Sequence, residues 1–442
     1  AIPALSLSLI GSISLHYPNI LENNIKSIIE GIQIQSKLPI QDSMCTTCKA
    51  MFLITKSIQL IPNYEKCLEF QESIQIFIQI CLNMIKTTNE IEVAGESFNV
   101  LGEIVRVFKV EIFSNKFEEL QIILKQFFEG KLLCQENIFE YIEELFEPIS
   151  NLICEIIYSI GIESTKYLNN ILEILLNKLE DKDLEIRQFS LTILGQFIQD
   201  CSSELPLEVL NKIYRVSIEG LNKGDPVSVF TINQFTSGAT EFLIPYGNEL
   251  IELLYKKLTN KKFKSRKYNE FIDCIVALIG EIQRNILKDN FPIDIFLKPC
   301  LSNMPAKEDR SSNLDMMRFY LWLGSKTNFQ PIEDFGKEKI FNMANETDLF
   351  NDVKDYFSEI YQTEKINLNS TLKVFYCDYV QNIISYYFAY ILQFFLNSNI
   401  GQPIKIDSLQ LSAKKFQTIL LEMPHILNFN SKFYNTLSLF IL

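Results

Sequence analysis

The chain has 442 residues, 47% of them hydrophobic, with a formal net charge of −13 and a pI near 4.9. Only 15 Gly and 14 Pro over that length argue against an all-β sandwich, and the acidic surface repels nucleic acid and anionic lipid while attracting basic partners. The length exceeds one ordinary compact domain and can bury a large core.

Ala1-Ile2-Pro3 leads straight into an apolar pattern, without a starting Met or leader, so the array is expected to begin mid-architecture. Ten cysteines, at 45, 48, 67, 81, 134, 154, 201, 274, 300 and 377, fall mostly inside apolar helical stretches. That is reduced, intracellular usage rather than a disulfide framework. Cys45-Thr-Thr-Cys48 is an isolated pair; structural zinc needs two more ligands, and His16 and His425 are the only histidines. Buried helix thiols, with no metal and no cofactor, are the expectation.

The clearest unit is 169–201, NNILEILLNKLEDKDLEIRQFSLTILGQFIQDC. Ile171, Ile174, Leu175, Leu176 and Leu179 share one helical face, and Ile186, Phe189, Ile193, Leu194, Phe197 and Ile198 share another. Glu180-Asp181-Lys182-Asp183 supplies the turn between them, with Asp183 as N-cap of the second helix. Helices this short are marginal alone, so neighbouring copies must complete the burial. Aligning on Leu194-Gly195 finds them at Gly11, Thr55, Gly102, Cys154, Gly195, Gly238, Gly280 and Gly324, in steps of 44, 47, 52, 41, 43, 42 and 44. A period of about 40–47 residues with two helices per unit predicts an all-α superhelix of HEAT or armadillo type.

A glycine inside a helix costs about 1 kcal/mol against alanine, so its recurrence at Gly102, Gly195, Gly238 and Gly280 predicts close approach of a stacked neighbour. Arg187 is expected to reach a turn carboxylate of the adjacent unit. Ala94 and Phe230 stand in its place elsewhere, so such a ladder is broken.

The long step of 52 holds extra residues around 135–147, QENIFEYIEELFE. Its Glu136, Glu140, Glu143 and Glu144, with Asp181 and Asp183, are the candidate residues facing a basic ligand; the alternative is a solvated acidic helix face. The one basic cluster, 256–267, falls where the period demands an inter-helix turn. From Phe329 the repeat weakens, giving an expected array over 1–330 and a further helical region over 331–442. Within the latter, 374–396 would span a bilayer by length, but Asp378, Gln381, Asn382 and Gln393 interrupt it, so a buried helix is expected. No Ser-nucleophile elbow, phosphate loop, zinc-protease motif or kinase set is present, and no enzyme is expected.

The stretch 273–324, DCIVALIGEIQRNILKDNFPIDIFLKPCLSNMPAKEDRSSNLDMMRFYLWLG, resembles the late repeats of importin-β (karyopherin-β) nuclear transport receptors. The similarity is nearest the importin four and importin five branch, whose "LPLKED" turn has its counterpart at Pro305, Lys307, Glu308 and Asp309; Leu179–Asp200 is similar to that branch's "D-x-E-V-R" repeat. The resemblance implies the C-terminal half of an import receptor that shuttles between cytoplasm and nucleus through the nuclear pore. Its implied partners are basic protein cargo, Phe-Gly nucleoporins and, in the full-length receptor, Ran-GTP. Direct nucleic-acid binding and membrane insertion are not expected. A structural HEAT-repeat scaffold subunit shares every repeat feature and is the alternative.

Overall fold

The computed structural model describes residues 4–38, 40–129, 143–259 and 266–303, with Leu132 and, further on, Ala306, Glu308, Asp309, Ser312, Asp315, Met316, Phe319 and Leu323. Two compact units divide between Leu243 and Ile244. The boundary expected near 330 and the apolar 374–396 stretch lie outside the described residues.

The first unit consists of α1 (Ala4–His16), α2 (Asn19–Gln35), α3 (Gln41–Ile58), α4 (Leu68–Thr87), α5 (Ile91–Phe108), α6 (Phe117–Phe128), α7 (Glu143–Ile160), α8 (Ser164–Tyr167), α9 (Asn169–Lys178), α10 (Leu184–Cys201), α11 (Leu207–Lys223), α12 (Pro226–Gly238) and α13 (Thr240–Leu243). They stack in two layers. In one, α1 packs on α3, α3 on α5, α5 on α7, α7 on α10 and α10 on α12; in the other, α2 packs on α4, α4 on α6 and α6 on α9. Each residue of the small-residue register, from Gly11 to Gly238, falls in a helix of the first of these layers.

Local chemistry fixes the helix ends. Asp183 caps α10 by accepting the Glu185 N–H at 2.8 Å. Asp225 caps α12, accepting from Val227 N and Ser228 N, with Pro226 preset at the first helical position. Between them α11 ends at Gly224, whose φ of 86° is a left-handed C-cap that favours glycine. The Asp183 and Asp225 N-caps are each worth about 1 kcal/mol. The buried Phe189, Leu191, Ile193, Leu194, Phe197 and Ile198 of α10 contribute about 1.5–3 kcal/mol each. Stacking therefore outweighs local propensity.

Helix α7 and the turns after it, Glu143–Tyr167, form the one stretch among the described residues long and apolar enough to cross a membrane. Here its apolar faces are spent on α5 and α10, with Leu152, Ile153, Ile156 and Ile157 fully buried. The acidic 135–147 stretch thus divides. Residues 135–142 lie outside the described residues, while Glu143–Glu147 form the first turns of α7 itself.

The second unit contains α14 (Gly247–Thr259), α15 (Arg266–Ile282) and α16 (Ile293–Leu301), with α14 packed on both of the others. Lys256 and Lys257 close α14, and Arg266 opens α15, so the basic cluster brackets an inter-helix connection. Residues 260–265 lie outside the described residues.

Candidate ligand-binding site

The Glu180–Asp183 turn keeps its charges mostly for itself. Asp181 accepts the Asp183 N–H at 3.2 Å and pairs with Lys178 at 3.0 Å. Both contacts hold its carboxyl below the ordinary range, the backbone bond first. Arg187 donates to the carbonyls of Asp181 and Lys182, at 2.5 and 3.0 Å, rather than to a carboxylate of the adjacent unit. The step between units is made one residue later, where Gln188 Nε2 donates to Asp225 Oδ1 at 2.6 Å. A guanidinium on the first turn of α10 lies closer to its own turn than to the next, which is why the expected ladder is absent here.

Beside that turn lies a pocket of 210 Å³, built where α6 ends, α7 begins, α9 ends and α10 begins. On the same measure a single water needs about 10–15 Å³, so a whole side chain fits. Phe127, Phe128, Phe146, Ile186 and Phe189 supply its apolar lining. The rings pack on each other, Phe146 stacked on Phe189 at 4.5 Å and 18° between planes. Phe127 meets both edge-on, at 6.4 and 6.1 Å.

Glu129, Glu143, Asp183 and Lys178 complete the lining. Lys178 is already paired with Asp181. Among the described residues the charges acting on Glu143 are of its own sign, Glu185 first and then Asp183. The neighbouring Glu185 is the main cause that raises the Glu143 carboxyl above the ordinary carboxylate range. An apolar, aromatic floor under an acidic mouth suits a ligand group that is flat or aliphatic in body and cationic at its tip.

A second group of charges lies on α5 and α7. The buried Glu103 carboxylate accepts from Arg106, Nε to Oε2 at 3.0 Å. Glu155 of α7 is pushed above the ordinary range by burial first, with Arg106 partly offsetting it. The second unit repeats the arrangement, with Arg284 bonded to the buried Glu281. The shared Gly-Glu-Ile-x-Arg string, 102–106 and 280–284, is the sequence signal that could have found both pairs.

Of the candidate residues, Glu143 and Asp183 come together at the pocket. Glu144 is exposed on the first turn of α7 away from the lining, Asp181 turns to Lys178, and Glu136 and Glu140 lie outside the described residues. Sequence reasoning missed Glu185, Phe127 and Phe128, and placed Phe189 only on an apolar helix face.

The register glycines sit at helix crossings. A Cβ on Gly102 would lie 3.5 Å from Leu152 Cα, one on Gly195 3.3 Å from Gln234 Cγ, and one on Gly238 2.2 Å from the Ile198 carbonyl oxygen. In the second unit, one on Gly280 would lie 2.8 Å from Phe319 Cβ. Pro305 and Lys307 are outside the described residues. Glu308 and Asp309 donate their backbone N–H groups to Asp273 Oδ2 at 2.8 and 3.1 Å, so this turn is docked on α15.

No family model matches the chain, and no curated protein is similar to it in sequence. Solved structures do match in fold. The karyopherin Kap121p bound to the SUMO protease Ulp1p aligns with a TM-score of 0.62 at 13% identity, over 85% of this chain and 37% of its own. A Kap121p mutant gives 0.58 at 15% identity, over 83% and 36%. Importin beta gives 0.56 at 13% identity, over 94% and 52%. The chain therefore spans between about a third and a half of the structures it matches. The fold is the all-α HEAT-type superhelix of karyopherins.

Proposed function

We propose that the chain acts as a karyopherin-type transport scaffold, of the importin four and importin five kind and corresponding to the C-terminal half of such a receptor. It holds basic protein segments for passage through the nuclear pore. The observation that carries this reading is the acidic mouth over the phenylalanine-lined pocket, where Glu129, Glu143 and Asp183 share the rim and, among the described residues, the charges acting on Glu143 are acidic. The karyopherin fold supports it. Stacked units contact only their neighbours, so a change in curvature spreads along the stack at low cost. Cargo on one set of units and Ran-GTP on another are then coupled through shape, with no chemical step. Phe-Gly nucleoporin rings entering slots between helices supply transit, and the receptor cycles between cytoplasm and nucleus.

Pull-down on the immobilised chain tests this with a basic cargo peptide and a Phe-Gly repeat peptide, each with and without Ran-GTP. Retention of the basic peptide, weakening as salt rises, is the expected result. Retention of neither peptide overturns the reading.

A further inference from the structure

Two helices that carry a register glycine, α5 and α15, end in the same unusual way. After the Gly-Glu-Ile-x-Arg string each runs on to a lysine at positive φ, Lys109 at 65° and Lys288 at 49°. The second run is one residue longer, and a π turn over Gln283–Leu287 takes up the difference. The Lys109 N–H accordingly donates to the Val105 carbonyl and the Lys288 N–H to the Gln283 carbonyl, each acceptor standing three places after its glycine. Turns of this π kind are rare and gather at functional sites.

A helix end favours cations, so an arginine and a lysine there signal nothing by themselves. The backbone does. Positive φ is costly for lysine and free for glycine, and after α7 the chain does place a glycine, Gly161 at φ 66°. Lysine at the other two places keeps an exposed cation where stability alone favours glycine. We propose that each lysine, with the arginine one turn before it, receives a carboxylate of an acidic peptide segment, one site in each unit. Charge complementarity gives the occupant its sign. Arg106 commits Nε and Nη2 to the buried Glu103, and Arg284 commits Nη2 to the buried Glu281. Each guanidinium is thereby fixed while part of it stays exposed with further donors. The Tyr158 ring, 5.2 Å from Lys109 Nζ, steadies that tip without neutralising it. Glu155 of α7 offsets part of the charge in the first unit, and Asp289 follows Lys288 in the second, so binding is weak and fades as salt rises.

Fluorescence anisotropy on the full chain at low salt tests this with a glutamate-rich peptide and its glutamine counterpart. The glutamate peptide is expected to bind and the glutamine peptide is not. The double variant Lys109→Gly, Lys288→Gly is expected to weaken that binding about tenfold while its thermal midpoint holds or rises, because glycine takes these φ values freely. Lys109→Arg with Lys288→Arg keeps the charges and is expected to keep the binding. Glutamate-peptide binding that survives in the glycine variant, or its absence from the unaltered chain, overturns the inference. So does a glycine variant whose midpoint falls, which would make the lysines part of the fold, or a single-stranded oligonucleotide that binds where the peptide does not. A basic peptide is expected to be held equally by the unaltered chain and the glycine variant, so the transport reading stands or falls on its own measurement.

Discussion

Alanine at Gly238 is expected to lower the stability of the first unit, whereas alanine at Gly102 raises it. Both glycines lie in helices of the same layer, but their surroundings differ. At Gly238 a Cβ would come within 2.2 Å of the Ile198 carbonyl oxygen and 2.5 Å of Gln199 Cα. Those are backbone atoms of α10, which cannot swing aside. To restore ordinary contact at about 3.5 Å the two helices must part by roughly 1 Å, loosening dispersion contacts along the crossing. Overpacking of this kind costs about 1–3 kcal/mol, against at most about 1 kcal/mol gained in helix propensity. The Ser202 hydroxyl, which donates to the Gly238 carbonyl, is disturbed by the same movement. At Gly102 the nearest atom is Leu152 Cα at 3.5 Å, ordinary van der Waals contact, so alanine fits and the propensity gain of up to about 1 kcal/mol remains. Thermal and urea melts followed by circular dichroism read both. At about 2–4 °C per kcal/mol for a unit of this size, Gly238→Ala lowers the midpoint by several degrees and Gly102→Ala raises it by up to about 4 °C. Two shifts of the same sign would refute the claim that interhelical clearance decides these positions.

Removing the α10 cap with Asp183→Ala is expected to cost about 0.5–2 kcal/mol, read as a lower midpoint in the same melts. Glu155→Gln is expected to stabilise at neutral pH. Burial raises this carboxyl's folded value above the ordinary 4.5, so the folded state holds its proton more tightly than the unfolded one. Stability therefore falls as pH rises through that window and stays reduced above it; the gain from glutamine is full at pH 7 and fades as pH drops below 4.5. A gain that persists unchanged in acid contradicts this cause.

The helix pair at 169–201 was legible because its apolar spacing, its acidic turn and the Asp183 cap all act within a few residues. The small-residue register was legible for a related reason: one clearance per unit recurs at one place in every helix of the layer. The pocket was not, since its rings come from α6, α7 and α10, and only the stacking of three units brings Phe127 to Phe189. Arg187 shows a different limit. Its charge was evident, but whether it reached across the stack or back to Asp181 depended on rotamer and turn geometry. The chain also turns through positive φ at Asn63, Lys109 and Lys288, after α3, α5 and α15, as it does at Gly161 after α7. Gly161 and Asn63 carry residue types that announce it; Lys109 and Lys288 do not.

Helix electrostatics account for part of the acidic mouth and leave a remainder. Glu143 occupies the first turn of α7 and Glu185 that of α10, where the helix dipole favours a carboxylate. Each residue alone is thus what a helix start favours. Their proximity is not, because Glu185 and Asp183 repel the Glu143 charge. A sequence selected for stability alone has simple remedies, such as glutamine at either position. Glu143→Gln is accordingly expected to leave the thermal midpoint unchanged or raised while weakening the grip on a basic peptide. Local stability given up for a ligand's charge separates a binding site from a solvated helix face. A lower midpoint in that variant would instead assign Glu143 to the stability of α7.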